Sequence, residues 1–335
     1  MLNQAVVDLE LIKFNAKEIR KKLNKKTKFY AVVKADAYGH GANVVSSALY
    51  PIVDGFIVAL VEEGISLRWS GIDKEILVLI PPVLCDIENC LRNGLTMTVD
   101  SVKLLKEIVK TSNKLDVSPK IHIKYNVGMN RLGASDIELK KILEYAKSEH
   151  VEILGFYSHL PAPENDKITN EMLNKFLLAK RLVKEYNKKV VCHISASGGF
   201  IKGIHLDLVR IGILLYGYKP FNTDYINVKP ALKVYAPVVC NKRLRKNDLC
   251  LYGDVGVDKG RDISILRVGY ADGFLRNKSG DLINNRCMDL SAYKKCKEDM
   301  VCVLSNAEEL AKKQNTISYE ILVNATKRAK IIYKR

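Results

Sequence analysis

The stretch "KFYAVVKADAYGHG" (residues 28–41) decides the fold and raises the question of what the chain does. Residues 29–33 are apolar, rich in β-branched and aromatic side chains, and lack polar alternation. This composition indicates a strand buried on both faces, as in the middle of a parallel sheet. The predicted strand ends on Lys34, where polar and glycine-containing sequence begins. An ammonium group at that place either reaches solvent beyond the sheet or has a chemical role.

Similar apolar runs recur through the first two thirds of the chain, with helical patterns between most of them. Counted with the first, they cover residues 29–33, 56–60, 76–80, 95–99, 121–125, 153–157, 190–194 and 209–215. Only the connection from the seventh run to the eighth is too short for a full helix. Eight strand–helix units within about 220 residues predict a (β/α)8 TIM barrel. A doubly wound sheet is the alternative, but it normally has fewer strands.

The pattern changes near residue 226, where short β-rich pieces alternate with turn-forming residues. These pieces are "LKVYAPVVC", "DLCLYG", "ISILRVGYADG" and "MVCVLS". They predict a separate, mainly antiparallel β domain. We therefore expect residues 1–225 to form the barrel and residues 226–335 the β domain, with the first residues of the chain able to pair with the β domain.

The composition is that of a globular protein, with 335 residues, 47% hydrophobic and 27% charged. No run approaches the roughly 18 apolar residues of a membrane span. The first residues lack the pattern of a secretion signal, so we expect a cytoplasmic protein without a membrane partner. The eight cysteines and six histidines are scattered without metal-ligand spacing, and we expect neither a metal site nor a disulfide framework. The net charge of +17 admits nucleic acid as a partner, but the basic residues are interspersed with acidic ones. We expect a solvated lysine-rich surface and no nucleic acid.

The carboxyl ends of barrel strands face the active site, so residues at those ends are candidates for chemistry. They are Lys34, Tyr38, Lys124, Arg131, His159, Ser195, Ser197, Arg210, Gly212 and Ile213. The set contains amines, guanidinium groups, an imidazole and a hydroxyl- and glycine-rich anion site, but no carboxylate pair and no Ser-His-Asp set. A buried amine beside an anion site indicates a lysine that forms a Schiff base with a phosphorylated cofactor, as pyridoxal 5'-phosphate (PLP) is.

The same residues carry a resemblance to a known family. "AVVKADAYGHG", "KYNVGMNRLG", "GFYSHL", "LVRIGILLYG", "VGYADG", "CMD" and "TISYE" occur in the order found in alanine racemases and reach from the first strand to near the C-terminus. The chain resembles these PLP enzymes, which combine a barrel with a β domain. The resemblance implies interconversion of L- and D-alanine, with D-alanine used for cell-wall synthesis. It also implies a homodimer with shared sites, in which Lys34 and Tyr252 of the partner subunit act on opposite faces of the substrate.

The resemblance assigns further roles. Lys34 would hold PLP, and Arg210 would face the ring nitrogen, where an arginine stays protonated and leaves the ring a weaker electron sink. His159 would brace Arg210. The cofactor phosphate would be bound by Tyr38, Ser197 and the backbone amides of Gly212 and Ile213. Arg131 would hold the phenolate oxygen of the cofactor and approach the substrate carboxylate, which the amide of Met288 would bind. Tyr270 and Arg276 would line the entrance. In this family the lysine matching Lys124 can be carbamylated, which gives Arg131 a negative partner.

Three departures from the family pattern keep alternatives open. Ala196 replaces an asparagine, and Asn126 replaces an aspartate beside Lys124. Residues 326–328 read Thr-Lys-Arg where the family has Ser-Tyr-Arg, so Lys327 stands in place of the tyrosine that narrows the substrate pocket. A serine racemase or a racemase of broad specificity is therefore the alternative function. A PLP-dependent decarboxylase is less favoured, because such enzymes oppose the ring nitrogen with a carboxylate rather than an arginine.

Overall fold

The computed structural model describes residues 2–252, 257–276 and 282–335. The chain begins with β1 (Gln4–Asp8), which belongs to the second of two sheets. The first sheet has eight parallel strands that pair in chain order, and the last of them returns to pair with the first. These strands are β2 (Lys28–Val32), β3 (Gly55–Val58), β4 (Glu75–Val78), β5 (Thr96–Val99), β6 (Lys120–Lys124), β7 (Ile153–Tyr157), β8 (Val191–His193) and β9 (Leu208–Ile211). Between β8 and β9 the amide of Asp207 donates to the carbonyl of Cys192 at 3.2 Å. The predicted barrel is confirmed.

One helix precedes the first barrel strand, and the others lie between the barrel strands along the chain. They are α1 (Leu9–Lys21), α2 (Lys34–Gly39), α3 (Ala42–Leu49), α4 (Val61–Trp69), α5 (Ile87–Arg92), α6 (Val102–Leu115), α7 (Asp136–Ser148), α8 (Asp166–Tyr186) and α9 (Ser197–Ile201). The hydroxyl of Ser101 caps α6 by accepting from the amide of Leu104, and Ser135 caps α7 in the same way. The connection from β8 to β9 holds only the short α9, as the sequence predicts.

The second sheet is mainly antiparallel. It contains β10 (Leu232–Leu244), β11 (Arg261–Leu266), β12 (Ser291–Lys294), β13 (Met300–Leu304) and β14 (Lys330–Lys334), with α10 (Ala307–Gln314) and α11 (Ser318–Ala325) before the last strand. β1 pairs antiparallel with β10 and parallel with β14, so the start of the chain lies in this sheet. The prediction of a second, mainly antiparallel β unit is confirmed, whereas the boundary near residue 226 stays a prediction.

Two local expectations are wrong. The apolar run 209–215 is not one strand, because β9 ends at Ile211 and residues 213–216 form a 3-10 turn. The piece "DLCLYG" is irregular rather than a strand within the described residues; Leu251 in it and Asn247 just before it have positive φ angles. In the described part of the chain, none of the helices has the length and apolarity needed to cross a bilayer.

Candidate active site

Lys34 opens a segment with unusual backbone geometry. Residues 35–38 are not glycines, yet their φ angles lie between 51° and 55°, so α2 is a left-handed turn. This conformation costs roughly 1–2 kcal/mol per residue and persists only when its surroundings hold it. The Nδ1 atom of buried His40 lies 3.0 Å from the carbonyl oxygens of Ala37 and Tyr38. The carboxylate of Asp36 accepts from the amide of Ala42 at 2.7 Å. The turn directs Lys34 and Tyr38 toward the same cavity.

This cavity has a volume of ≈ 400 Å³ and lies at the carboxyl ends of the barrel strands. The structure brings nine of the predicted residues together in its wall. They are Lys34, Tyr38, Lys124, Arg131, His159, Ser197, Arg210, Gly212 and Ile213. Ser195 is fully buried instead, and its hydroxyl donates to the carbonyl of Ile204. The candidate residues of the barrel therefore form one site.

The cavity is rich in cationic groups, and this alters the two lysines. Burial lowers the pKa of Lys34, and the charge of Arg131 adds to the effect, while Glu63 opposes it. Burial also lowers the pKa of Lys124 to about 8, with further contributions from Arg131 and Arg210. Both amines are thus neutral more often than an exposed lysine. A neutral amine is the form that attacks a carbonyl group or accepts a proton.

Arg210 is held in place by three acceptors. Its guanidinium donates to Nδ1 of His193 at 2.7 Å and to the carbonyls of Ser158 and Ile194 at 2.7 and 3.0 Å. Burial lowers the pKa of Arg210 to about 10, so the group remains charged at neutral pH. His193, rather than His159, is the histidine that hydrogen-bonds Arg210, which corrects the expectation from the sequence. Burial, followed by the charge of Arg210, lowers the pKa of His159 to about 3, and this side chain is neutral in the cavity wall.

Hydroxyl and amide groups line another part of the cavity. The amide of Gly212 lies 3.4 Å from the hydroxyl oxygen of Ser197 and points at it. At the start of α9, the amide of Phe200 donates to the carbonyl of Ala196, and the amides before Phe200 come ahead of this first hydrogen bond of the helix. A Cβ atom at Gly212 would lie 2.5 Å from the hydroxyl oxygen of Tyr38, so only glycine leaves room for that hydroxyl. Donors of this kind suit a phosphate group.

Two of the three departures from the family pattern, those at Lys327 and Asn126, have a clear place in the structure. Lys327 is exposed and is not among the described residues that line the cavity, whereas Tyr319 of α11 lines it and packs against Tyr38 with ring centroids 5.8 Å apart. Arg328 pairs with Asp289 at 2.8 Å. The side-chain oxygen of Asn126 accepts from two amides in the loop 126–130, which leads to Arg131. Asn126 therefore shapes this loop.

The candidate residues of the β domain lie elsewhere. Tyr252, Met288, Tyr270 and Arg276 are exposed, at 70% for Tyr252, and are absent from the described residues that line the cavity of the same chain. Backbone bonds connect their segments, since the amide of Ala271 donates to the carbonyl of Met288 at 3.0 Å. The β domain thus presents all four side chains on segments that face solvent.

Several residues of the site escaped the sequence analysis. His193 and Tyr157 stack in parallel, with ring centroids 5.0 Å apart, and Tyr157 and Tyr319 form part of the cavity wall. Strand alternation is the signal that could have found the first two. His193 precedes Ser195 by two residues and Tyr157 precedes His159 by two, so each shares a face with a residue already selected.

The fold and the cavity define a class of protein: a TIM barrel with an attached β domain and a cationic cavity built around a lysine and an anion-binding cradle. Family models narrow this class. The model of the alanine racemase N-terminal domain matches residues 7–220, and that of the C-terminal domain matches residues 231–333. The chain belongs to the alanine racemase family, and its curated relatives are isomerases.

Individual relatives agree over the whole chain. The alanine racemase of Methanococcus maripaludis is 34% identical, covering 98% of both chains, and that of Clostridium tetani is 33% identical, covering 99% of this chain and 95% of the relative. Among solved structures, an alanine racemase of Clostridium difficile superposes with a TM-score of 0.94 at 28% identity, covering 100% of this chain and 96% of the other. A Bartonella henselae alanine racemase, solved with covalently bound pyridoxal phosphate, gives a TM-score of 0.88 at 25% identity and full coverage of both chains.

Proposed function

We propose that this chain binds PLP on Lys34 and interconverts L- and D-alanine with two bases, Lys34 and Tyr252 of the partner subunit. One observation carries the proposal. A half-buried lysine with a lowered pKa shares a single cavity with an anion cradle and with a fixed guanidinium group. These three groups match the three recognised parts of PLP, namely its aldehyde, its phosphate and its ring nitrogen.

The residues present fit this cofactor. The clearance at Gly212 admits the Tyr38 hydroxyl to a cradle that Ser197 and the amides of Gly212 and Ile213 complete. When bound, PLP would supply an aldehyde that reacts with amines and a ring that withdraws electrons from the Cα–H bond of the amino acid. Arg210 can only donate hydrogen bonds, so it leaves the ring nitrogen without a proton. This restraint favours return of the proton to Cα over side reactions, as racemisation requires.

Racemisation also needs proton carriers on both faces of the substrate. The Lys34 amine serves one face, because its lowered pKa allows it to accept a proton and return it. Tyr252 is the second carrier by its match to the family. It is exposed on the β domain and does not line the cavity of its own chain. A head-to-tail homodimer, in which each β domain completes the site of the other chain, resolves this separation.

Lys124 has a supporting role in the proposal. Its amine is buried among the positive charges of Lys34, Arg131 and Arg210. A carbamate on this amine would replace a positive charge by a negative one and so relieve the repulsion. Arg131 would then be held by the carbamate and could bind the substrate carboxylate together with the amide of Met288 from the partner subunit. Tyr270 and Arg276 would line the entrance.

Alanine is the substrate that we propose, with D-alanine supplied in the cytoplasm for cell-wall synthesis. Tyr319 favours a small substrate, because its ring stands in the cavity wall. The alternative is a racemase that also takes serine or larger amino acids. It is favoured by the exposed Lys327 at the position where the family has a pocket tyrosine.

A racemisation assay on L-alanine, L-serine and L-lysine tests the proposal, with borohydride reduction and peptide mapping to locate the cofactor. We expect D-alanine as the main product and the pyridoxyl group on Lys34. The variant Lys34→Ala is the control and should lose both the label and turnover. A label on Lys124 or Lys327, or the absence of racemisation by a PLP-loaded protein, would contradict the proposal.

A further inference from the structure

A line of buried polar side chains crosses the barrel interior beneath Arg210. Nδ1 of His193 lies 2.7 Å from the guanidinium of Arg210, and Nε2 of His193 lies 3.1 Å from Nδ1 of His122. Nε2 of His122 lies 3.2 Å from the carboxylate of Glu75, which also accepts from the hydroxyl of Tyr30 at 2.6 Å. Glu75 is the first residue of β4, so the line ends at the mouth of the barrel opposite the candidate site.

The direction of every hydrogen bond in this line is fixed by its two ends. An arginine only donates, so Nδ1 of His193 must accept and the ring proton of His193 lies on Nε2. That proton is donated to Nδ1 of His122, whose own proton therefore lies on Nε2 and faces the acceptor Glu75. A protonated His122 would force the proton of His193 onto Nδ1, where it would face the N–H groups of Arg210. Both histidines are therefore neutral, and the charges stand at the ends.

The barrel leaves space for this line. A Cβ atom at Gly155 would lie 2.4 Å from the ring of His122, and one at Gly55 would lie 2.7 Å from the ring of Tyr30. TIM barrel interiors are normally filled by branched apolar side chains, and a buried polar group costs free energy unless it is hydrogen-bonded. Any larger residue at Gly155 or Gly55 would collide with this line of side chains. The barrel interior is therefore shaped around the line.

Glu75 is the part of the line that solvent can reach. It lines a second cavity of ≈ 150 Å³ at the opposite mouth, together with Lys28, Glu152 and Lys189. Burial favours the neutral carboxyl group, but the hydrogen bonds from His122 and Tyr30 and the charge of Lys28 oppose it and hold the pKa of Glu75 below its ordinary value. Glu75 is thus ionised at neutral pH and gives the line its negative end.

We infer that Glu75 and His122 are positioning residues for Arg210, acting across the barrel through the tautomer of His193. The negative end of the line selects the tautomer in which His193 accepts from Arg210, and this bond sets the guanidinium in the cavity. Without the charge of Glu75 the opposite tautomers compete, and Arg210 then faces a donor. The inference rests on the proposed function, since Arg210 is there assigned to the cofactor ring nitrogen.

The first test reads the tautomers directly in the unmodified full-length protein. Two-bond ¹H–¹⁵N correlation spectra of protein labelled with ¹⁵N-histidine distinguish a proton on Nδ1 from one on Nε2. Single substitutions His122→Asn and His193→Asn assign the signals. We expect Nε2 protons on both residues, with and without PLP. A proton on Nδ1 of either residue would overturn the inference, whatever the behaviour of variants at Glu75.

The second test uses Glu75→Gln, which keeps the shape of the side chain and removes its charge. In the PLP-loaded dimer we expect mixed tautomers at His193, a displaced visible absorption band of the bound cofactor and a kcat for L-alanine lowered about tenfold. KM should change less than kcat, because Glu75 does not reach the substrate. Glu138→Gln is the matched control, since the Glu138 carboxylate accepts from the amide of Val102 at 2.7 Å outside the barrel interior. This control should leave all three readouts unchanged.

The outcomes separate the inference from the proposed function. A wild-type protein that neither binds PLP nor racemises alanine contradicts the proposed function and the role given to Arg210. A wild-type protein that does both, with a Glu75→Gln variant of unchanged tautomers, absorption band and kcat, contradicts the inference alone. If Glu75→Gln fails to fold, the tautomer measurement on the unmodified protein decides.

Discussion

Replacing Gly212 by alanine tests the anion cradle at its narrowest point. A Cβ atom at Gly212 would lie 2.5 Å from the hydroxyl oxygen of Tyr38 and 3.1 Å from the ring carbon that carries it. The φ angle of Gly212 is −114°, outside the left-handed region that favours glycine, so the contact with Tyr38 is the main cost of the substitution. The Tyr38 ring cannot retreat freely, because Tyr216 and Tyr319 pack against it at centroid distances of 4.8 and 5.8 Å.

The magnitude follows from two effects. Overpacking of a buried site destabilises a protein by roughly 1–3 kcal/mol, and we expect Gly212→Ala to lower the stability of the apoprotein by that amount. In the proposed site, displacement of the Tyr38 hydroxyl would also remove one hydrogen bond to the cofactor phosphate. A hydrogen bond to a charged group contributes about 1.5–3 kcal/mol, which corresponds to a Kd for PLP that is about 10- to 150-fold weaker.

A double-mutant cycle with Tyr38→Phe measures both effects. Thermal unfolding of the four apoproteins reports stability, and equilibrium dialysis reports the Kd for PLP. Tyr38→Phe removes the atom at 2.5 Å, so adding it to Gly212→Ala should recover part of the lost stability but none of the lost affinity. Additive losses of stability would show that the two groups do not collide. Wild-type affinity for PLP in Gly212→Ala would show that Tyr38 does not reach the phosphate through this gap.

Three further predictions follow from the site. Lys34→Ala and Tyr252→Phe chains are each expected to be inactive, and mixing them should restore activity through hybrid dimers with one intact site; no recovery after proven subunit exchange would refute shared sites. The pKa of Lys124 is lowered to about 8, so its amine is neutral in about a tenth of molecules at pH 7. Its carbamate signal in ¹³C NMR with labelled bicarbonate should grow from pH 6 to 8 at fixed dissolved CO2, and a signal that persists in Lys124→Arg would refute the assignment. Lys327→Tyr should raise the kcat/KM preference for alanine over serine about tenfold, and Tyr319→Ala should lower it by a similar factor; unchanged ratios would show that another group closes the pocket.

The barrel was predictable because its strands are buried on both faces. Such strands are continuous apolar runs, and their carboxyl ends collect the functional residues, which is how Lys34 and Arg210 could be selected. The ends of an apolar run do not mark the ends of a strand equally well, as residues 209–215 show. Apolar side chains continue through Ile211 into the 3-10 turn 213–216, since both segments are buried, and hydrophobicity does not distinguish a strand from a buried turn.

The line from Glu75 to Arg210 could be predicted only in part. Alternation along a strand places His122 on the face of Lys124 and His193 on the face of Ser195. It does not say which of eight strands face one another across the barrel, and hydrogen bonds across the interior depend on that arrangement. Glu75 illustrates the difficulty, because a glutamate at the start of a strand is indistinguishable in the sequence from a solvated one. Its partner His122 lies 47 positions further along the chain.

The positive charges of the cavity favour anionic ligands. Lys34, Lys124, Arg131 and Arg210 line one cavity, and the only carboxylate among its described lining residues is Glu164 on an exposed loop. Burial and the neighbouring cations lower the pKa values of both lysines, and the carboxylates of Glu63 and Asp100 offset this only in part. A carbamate on Lys124 would replace one of these positive charges by a negative one, and it and a substrate carboxylate are two anions that would each pair with Arg131. An arrangement that is unfavourable by itself and balanced by its ligands binds anions selectively, since neutral ligands would leave the repulsion in place.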